Sequence, residues 1–278
     1  MLAIWILVLR EVLEAAMIVS IVAAATRGVP GRWRWIGSGL ALGVGGAGIV
    51  AACAEQLAAA MSGMGQEWFN ASVLLAATAM IGWHVVWMAR HGRALAAEAG
   101  RFGADVSSGR RPMTALMIVV AIAVLREGSE IVLFGYGMFA GGSGTGDLVT
   151  GGVLGLLSGV GVGVAMYAGL LRIPMRHFFR ATNGLLILLA AGLAAMAAGF
   201  LIQADVLPAL ADPLWDSSWL LTDDAWLGRT LHALVGYTAQ PSGMQVLFYA
   251  TVVALLSGGA RLAAPRPSSI GAVATPST

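Results

Sequence analysis

Apolar runs recur along the whole chain at about 20 residues, the length that an α-helix needs to cross the hydrocarbon core of a bilayer. They predict seven membrane spans, at 2–25, 35–55, 68–89, 113–140, 148–171, 181–204 and 243–260. Only 11% of the 278 residues are charged, whereas a soluble domain carries about 25%. The sequence therefore predicts an all-α membrane protein with seven transmembrane helices.

Charged residues interrupt the first and fourth predicted spans. The uncharged pieces are 1–9 and 15–26 in the first span, and 112–125 and 131–146 in the fourth. None of these pieces alone is long enough to cross a bilayer. If both segments span as helices, the charged motifs lie at membrane depth, where ionisable groups are costly and face the protein interior or a wet cavity.

The arginines of the connecting segments indicate how the chain is oriented. Thirteen of the 16 arginines follow the first, third, fifth and seventh spans, whereas the alternate segments are acidic and hold only Arg229. Because basic loops stay in the cytoplasm, we expect the N-terminus outside and the C-terminus inside. Residues 263–278 are rich in Pro, Ser and Ala and are predicted to form a disordered cytoplasmic tail.

A repeat relates the two halves of the chain. Arg10-Glu11-Val12-Leu13-Glu14 recurs 116 residues later as Arg126-Glu127-Gly128-Ser129-Glu130. The same shift carries Gly39 onto Gly155 and Gly43 onto Gly159. Each half holds three spans, so the halves point in opposite directions, as in many secondary transporters.

The predicted architecture is an inverted-topology 3+3 repeat followed by one more helix. Its glycine ladder at 151, 155, 159 and 163 should pack tightly on a neighbouring helix. A single transmembrane domain is predicted over 1–262, with half-repeats 1–90 and 113–205, an outer interfacial segment 205–242 and a last span 243–260.

The repeated motif places its charged groups on one face of a helix. Glu11 and Glu14 are three residues apart, and Arg10 and Glu14 are four apart, so all three are neighbours. Carboxylate oxygens suit hard cations such as ferric iron, manganese, magnesium or calcium, and arginine can hold carboxylates by bidentate pairing. We predict four cation ligands, Glu11, Glu14, Glu127 and Glu130, supported by Arg10 and Arg126. The alternative is a self-neutralising clasp between helices, but in each copy one glutamate would then be surplus.

Three further groups of residues invite interpretation. Met80, His84 and Met88 form a stripe at a spacing of four, which could bind copper but which we interpret as packing around a hydrogen-bonded histidine. Trp215, Trp219 and Trp226 fall on one helical face after Asp212-Pro213, which predicts an interfacial helix on the outer leaflet. Acids that could collect cations at the entrance, or be ordinary solvated side chains, are Glu55, Asp216, Asp223 and Asp224.

The paired motif resembles the high-affinity iron permease family of fungi and bacteria, whose hallmark is Arg-Glu-Gly-Leu-Glu in spans one and four of seven. The charged positions are intact here, whereas Val12 and Ser129 depart from the pattern. The likeness continues through Trp87-Met88-Ala89-Arg90-His91-Gly92, Leu214-Trp215-Asp216 and Leu231-His232-Ala233-Leu234-Val235-Gly236-Tyr237.

The resemblance implies uptake of iron ions across the cytoplasmic (inner) membrane. It also implies an iron-oxidising or iron-delivering periplasmic partner. Some relatives are linked to lead, so lead or manganese is an alternative cargo. A membrane-embedded metal sensor or metalloenzyme is the alternative from another class, although only His84 lies within a predicted span. We expect no permanently bound cofactor, no enzymatic activity and no nucleic-acid partner.

Overall fold

The computed structural model describes residues 1–61, 66–169, 175–223 and 225–263, without the side chains of residues 55, 57–61, 92–93, 95–96, 175–179, 226 and 233. Within these ranges the regular secondary structure is entirely α-helical. The eight helices of the described ranges are α1 (Leu2–Ala25), α2 (Arg32–Met61), α3 (Gln66–Ser107), α4 (Met113–Ala140), α5 (Thr145–Tyr167), α6 (Met175–Gln203), α7 (Trp226–Val235) and α8 (Gly243–Ala263). The predicted tail, 263–278, lies outside the described residues except for Ala263.

Five of the described helices are apolar and long enough to cross a membrane. They contain the segments Arg32–Ala54, Gln66–His91, Thr145–Tyr167, Arg180–Gln203 and Gly243–Ala263. α1 and α4 have the length, 24 and 28 residues, but each carries an Arg and two Glu in its middle. The chain is thus a multi-pass helical membrane protein, and the full count of seven spans remains a prediction.

The third helix is much longer than the predicted span. α3 runs for 42 residues, to Ser107, although residues 90–112 were expected to be a loop. The extension is helical because its apolar side chains cover the end of α1: Ala99 packs in one cluster with Val22 and Ala23, and Val106 is buried as well. Such contacts between distant segments stabilise a helix that local hydrophobicity does not predict.

The predicted interfacial helix after Pro213 is wrong. Trp215 and Trp219 lie in irregular backbone, and the helix of this segment, α7, begins only at Trp226. The backbone N–H groups of Leu214 and Ser217 donate to carbonyls 22 or more residues later, at distances of 2.8 and 2.9 Å. Because these donors are satisfied by long-range partners, the segment does not need helical hydrogen bonds.

The glycine ladder of α5 packs tightly on a neighbouring helix, as predicted, and that helix is α1. An added Cβ at Gly155 would lie 2.6 Å from Val8 Cβ and 2.8 Å from the Trp5 carbonyl oxygen. In the first half of the repeat, Gly39 and Gly43 bring α2 equally close to α4. Each glycine-bearing helix therefore packs on the motif-bearing helix of the other half, and the close backbone approach requires residues without a side chain.

Replacing a ladder glycine by alanine should destabilise the protein. We expect Gly155→Ala to lower the free energy of unfolding by about 1–3 kcal/mol, because the added methyl overpacks the α1–α5 contact. Gly161→Ala, on the same helix, is the matched control because nothing lies within 4 Å of its added Cβ. Thermal unfolding in detergent measures both variants, and equal midpoints would contradict the expectation.

Two apolar clusters bracket the motifs along the bundle axis. One cluster joins α1, α3, α4 and α6 through residues such as Leu7, Ile81, Phe134 and Leu193. The other joins the far end of α1 to α2, α3 and α4, and includes Val22. On α1 and on α4 the charged motif lies between the residues that enter these two clusters, so apolar packing flanks the site toward both ends of the bundle.

Candidate metal-binding site

Seven polar side chains from three helices meet between the two apolar clusters. The spacing of three and four residues puts one copy of the motif on one face of α1 and the other copy on one face of α4, while α3 contributes a histidine. The seven residues are Arg10, Glu11, Glu14, His84, Arg126, Glu127 and Glu130. We call the four glutamates the acidic cluster.

Arg10 is held on three sides. Its Nη1 donates to Glu11 Oε1 at 2.6 Å, and its Nη2 donates to Asn183 Oδ1 of α6 at 3.1 Å. The same Nη2 forms an ion pair with Glu14 Oε1 at 2.7 Å. The side chain is only 1% exposed, so its charge is balanced by protein groups.

Arg126 occupies the equivalent position of α4 but has different surroundings. Its Nε donates to Glu130 Oε1 at 3.2 Å and lies 3.8 Å from Glu127 Oε1. The guanidinium carbon lies 4.0 Å from the centroid of the Trp87 ring, a cation–π contact. With 31% of its side chain exposed, Arg126 borders a cavity, whereas Arg10 is enclosed.

His84 joins the two copies of the motif. It lies on α3, is buried, and has one ring nitrogen, Nδ1, in contact with Glu130 Oε2. Its other ring nitrogen, Nε2, lies 3.9 Å from Glu14 Oε1. The interpretation of His84 as a hydrogen-bonded packing residue therefore misses its place between carboxylates of α1 and α4.

Two groups of ligand atoms, which have Glu11 in common, are each close enough to share a cation. Glu11, Glu127 and Glu130 offer one oxygen each within 4.8 Å of one another, and Glu11, Glu14 and His84 likewise offer one ligand atom each within 4.8 Å of one another. Among the described residues, no hydrogen-bond donor reaches Oε2 of Glu11, Glu14 or Glu127. Buried carboxylate oxygens without donors are costly, and a cation that coordinates them would remove that cost.

Cavities lie on both sides of this site. A cavity of about 690 Å³ opens at the end of the bundle where α1 begins, and its lining includes Asp147, Asp223 and His232. A void of about 20 Å³ shares Ala3 and Leu189 with that lining and reaches Arg10. On the other side, a cavity of about 250 Å³ is lined by residues that include Glu98, Arg126 and Glu127.

The structure separates the predicted entrance acids. Asp223 lines the large cavity, and its Oδ1 accepts a hydrogen bond from the Ala239 backbone N–H at 2.9 Å. Asp216 is in the irregular segment, where hydrogen bonds from Ser218 and Gln240 lower its pKa. Asp224 and the Glu55 side chain lie outside the described residues.

Sequence reasoning missed the partners that come from α3 and α6. Asn183 and Trp87 are remote from the motifs in sequence, and no periodic pattern marks them. His84 did carry a signal, because it is the only histidine within a predicted span, and an intramembrane ionisable residue indicates a functional site.

Asp147, at the start of α5, pairs with the N-terminal amine at 3.3 Å and lines the large cavity.

Comparison with known proteins places this geometry in context. Residues 1–264 match the Iron permease FTR1 family. The chain is 30% identical to the ferrous iron permease EfeU of Escherichia coli O6:H1 over 251 residues. This alignment covers 87% of this chain and 88% of that protein. It is 29% identical over 250 residues to EfeU of Yersinia pestis, with 88% of each chain covered. No solved structure matches the chain.

Proposed function

Since this chain belongs to the iron permease FTR1 family, we propose that it moves iron ions across the cytoplasmic membrane through the acidic cluster. Members of the family, including the EfeU relatives, are permeases rather than enzymes. In this proposal Glu11, Glu14, Glu127 and Glu130 take over the hydration shell of the ion. Arg10 and Arg126 hold the carboxylates and limit their mutual repulsion while no ion is bound.

One observation carries the proposal: carboxylates from the two motif-bearing helices share one buried position. The four glutamates and two arginines sum to a formal charge of −2, which a divalent cation would balance. A structural clasp between helices would pair each carboxylate oxygen with a donor. Instead, oxygens of three glutamates have no donor among the described residues.

We further propose seven membrane spans, formed by α1 to α6 and α8, with the N-terminus outside and the C-terminus inside. The charges of α1 and α4 face the protein interior, which permits both helices to cross the bilayer. The reciprocal packing of α5 on α1 and of α2 on α4 supports an inverted 3+3 repeat. On this basis residues 1–262 form one permease domain.

The cavities support a route for the ion. In the proposed orientation the cavity of about 690 Å³ is the outer vestibule, and the cavity of about 250 Å³ faces the cytoplasm. We propose Asp223 as an entrance acid, while Glu55, Asp216 and Asp224 remain predicted ones. A periplasmic protein that oxidises or delivers iron is the proposed partner, and no cofactor is needed besides the transported ion.

Uptake of radioactive iron into vesicles that contain the purified protein tests this function. We expect flux that protein-free vesicles lack, together with no stoichiometric iron retained by the protein after purification. Retained metal without flux would instead indicate a metal sensor. Lead or manganese as the true cargo would appear as flux of that ion in the absence of iron flux.

A further inference from the structure

We propose that His84 is a fifth ligand of the transported ion and makes the site favour divalent ions of intermediate softness, such as Fe²⁺, over hard ions such as Fe³⁺ and Mg²⁺. This inference rests on the proposed function and extends it from transport to selection. His84 lies outside both copies of the repeated motif, on α3, so its role does not follow from the motif itself.

The position of the imidazole supports direct coordination. His84 is 3% exposed, and its two ring nitrogens face carboxylates of different helices, Glu130 of α4 and Glu14 of α1. Nδ1 contacts Glu130 Oε2, whereas Nε2 has no hydrogen-bond partner among the described residues. Phe134 packs edge-on against the ring, with centroids 6.3 Å apart, so the imidazole points into the acidic cluster with a fixed orientation.

The separation between ligand atoms fits a shared ion. Two ligand atoms that are each about 2.1 Å from one metal ion lie about 3–4 Å apart. His84 Nε2 and Glu14 Oε1 are 3.9 Å apart, at the upper end of that range. One ligand atom each of Glu11, Glu14 and His84 lies within 4.8 Å of the others, which gives two carboxylates and one imidazole around a common position.

The contact of Nδ1 with Glu130 leaves the other ring nitrogen, Nε2, on the side of Glu14. An imidazole nitrogen that carries a lone pair can bind a metal ion. A metal ion between Nε2 and Glu14 would be coordinated by both. In the competing arrangement the imidazole pairs with the two carboxylates and does not bind metal, and X-ray absorption of a bound ion distinguishes the two.

The chemistry of the donors predicts the selectivity. Carboxylates alone suit magnesium, calcium and manganese, whereas imidazole suits iron, zinc, nickel and copper. Replacing one oxygen donor by nitrogen therefore shifts preference toward Fe²⁺, Co²⁺ and Zn²⁺. Met80, on the same stripe of α3, packs against the apolar cluster, so its thioether does not extend the site toward copper(I).

Uptake of ⁵⁵Fe²⁺ under reducing conditions, with competing ions, tests the selectivity in reconstituted vesicles. For the wild type we expect Co²⁺ and Zn²⁺ to compete much better than Mg²⁺ or Mn²⁺. His84→Gln should raise the KM for Fe²⁺ by about tenfold or more, since even indirect contacts to a metal ligand have effects of that size. The advantage of Zn²⁺ over Mn²⁺ as a competitor should shrink by a similar factor.

His91→Gln is the matched control on the same helix. His91 stacks on Trp87 with ring centroids 4.9 Å apart and contacts the Trp87 carbonyl oxygen, about two helical turns from His84. This variant should keep the wild-type KM and the wild-type order of competing ions. An unchanged order and KM in His84→Gln would overturn the proposal.

X-ray absorption of Co²⁺ bound to the purified wild-type protein gives a second readout that does not depend on any variant folding. We expect scattering from one imidazole, and its absence would overturn the proposal even if His84→Gln does not fold. Failure of the proposed function looks different: the wild type itself would show no iron flux. Iron flux without imidazole scattering would contradict only the proposed role of His84 and would leave the transport function intact.

Discussion

Glu14→Gln and Glu130→Gln should each abolish iron uptake into reconstituted vesicles while the protein still inserts and folds. Gln keeps the shape of the side chain but removes the negative charge that a cation requires in place of its water shell. Substituting a residue that only hydrogen-bonds to a metal ligand already costs about 10–100-fold in metal affinity, so loss of a direct ligand should reduce initial uptake by about 100-fold or more. Uptake of ⁵⁵Fe at several ion concentrations measures this loss.

Glu67→Gln is a matched control for these two substitutions. Glu67 is in the first turn of α3, outside the acidic cluster, and the charge change is the same. We expect it to retain wild-type uptake. Wild-type uptake by both Glu14→Gln and Glu130→Gln would remove these residues from the ligand set, and the motif would then be only a clasp between helices.

Arg10→Gln should destabilise the protein strongly. The substitution leaves Glu11 and Glu14 buried without the charge that pairs with both of them, and the formal charge of the site changes from −2 to −3. Removing one partner of a buried ion pair costs about 3–5 kcal/mol. We expect a large drop in the yield of monodisperse protein and in its thermal midpoint in detergent.

Arg126→Gln makes the same chemical change in the other copy of the motif, with a smaller expected cost of about 1 kcal/mol. The Arg126 side chain is 31% exposed, and water can screen the carboxylates that it leaves. The two variants carry the same substitution at equivalent positions of the repeated motif, yet they should differ in stability. Equal stability of both would contradict the asymmetry of their surroundings.

A double variant separates charge balance from ion binding. Arg10→Gln combined with Glu14→Gln restores the formal charge of the site to −2, so it should recover a large part of the lost stability. Iron uptake should stay abolished, because a ligand is still missing. Recovery of uptake in the double variant would show that Glu14 serves only to pair with Arg10.

The sequence alone determined the two motif-bearing helices. Hydrophobic length and the spacing of charges are local properties, so α1 and α4 begin and end where the spans were predicted, at 2–25 and 113–140. The identity of the four glutamates as candidate ligands was equally local, because i, i+3 and i+4 spacing fixes a helix face before any packing occurs. The glycine ladder predicted tight packing, although not on which helix.

Only the tertiary structure decided how these elements meet. Contacts between distant segments extend α3 to Ser107, keep the segment after Pro213 irregular, and bring Asn183 to Arg10. They also place His84, which is isolated within an apolar span of the sequence, between Glu14 of one motif and Glu130 of the other. The physical reason is the same throughout: side chains far apart in sequence satisfy each other's packing, charge and hydrogen bonds, and no periodicity along one chain segment encodes such a partner.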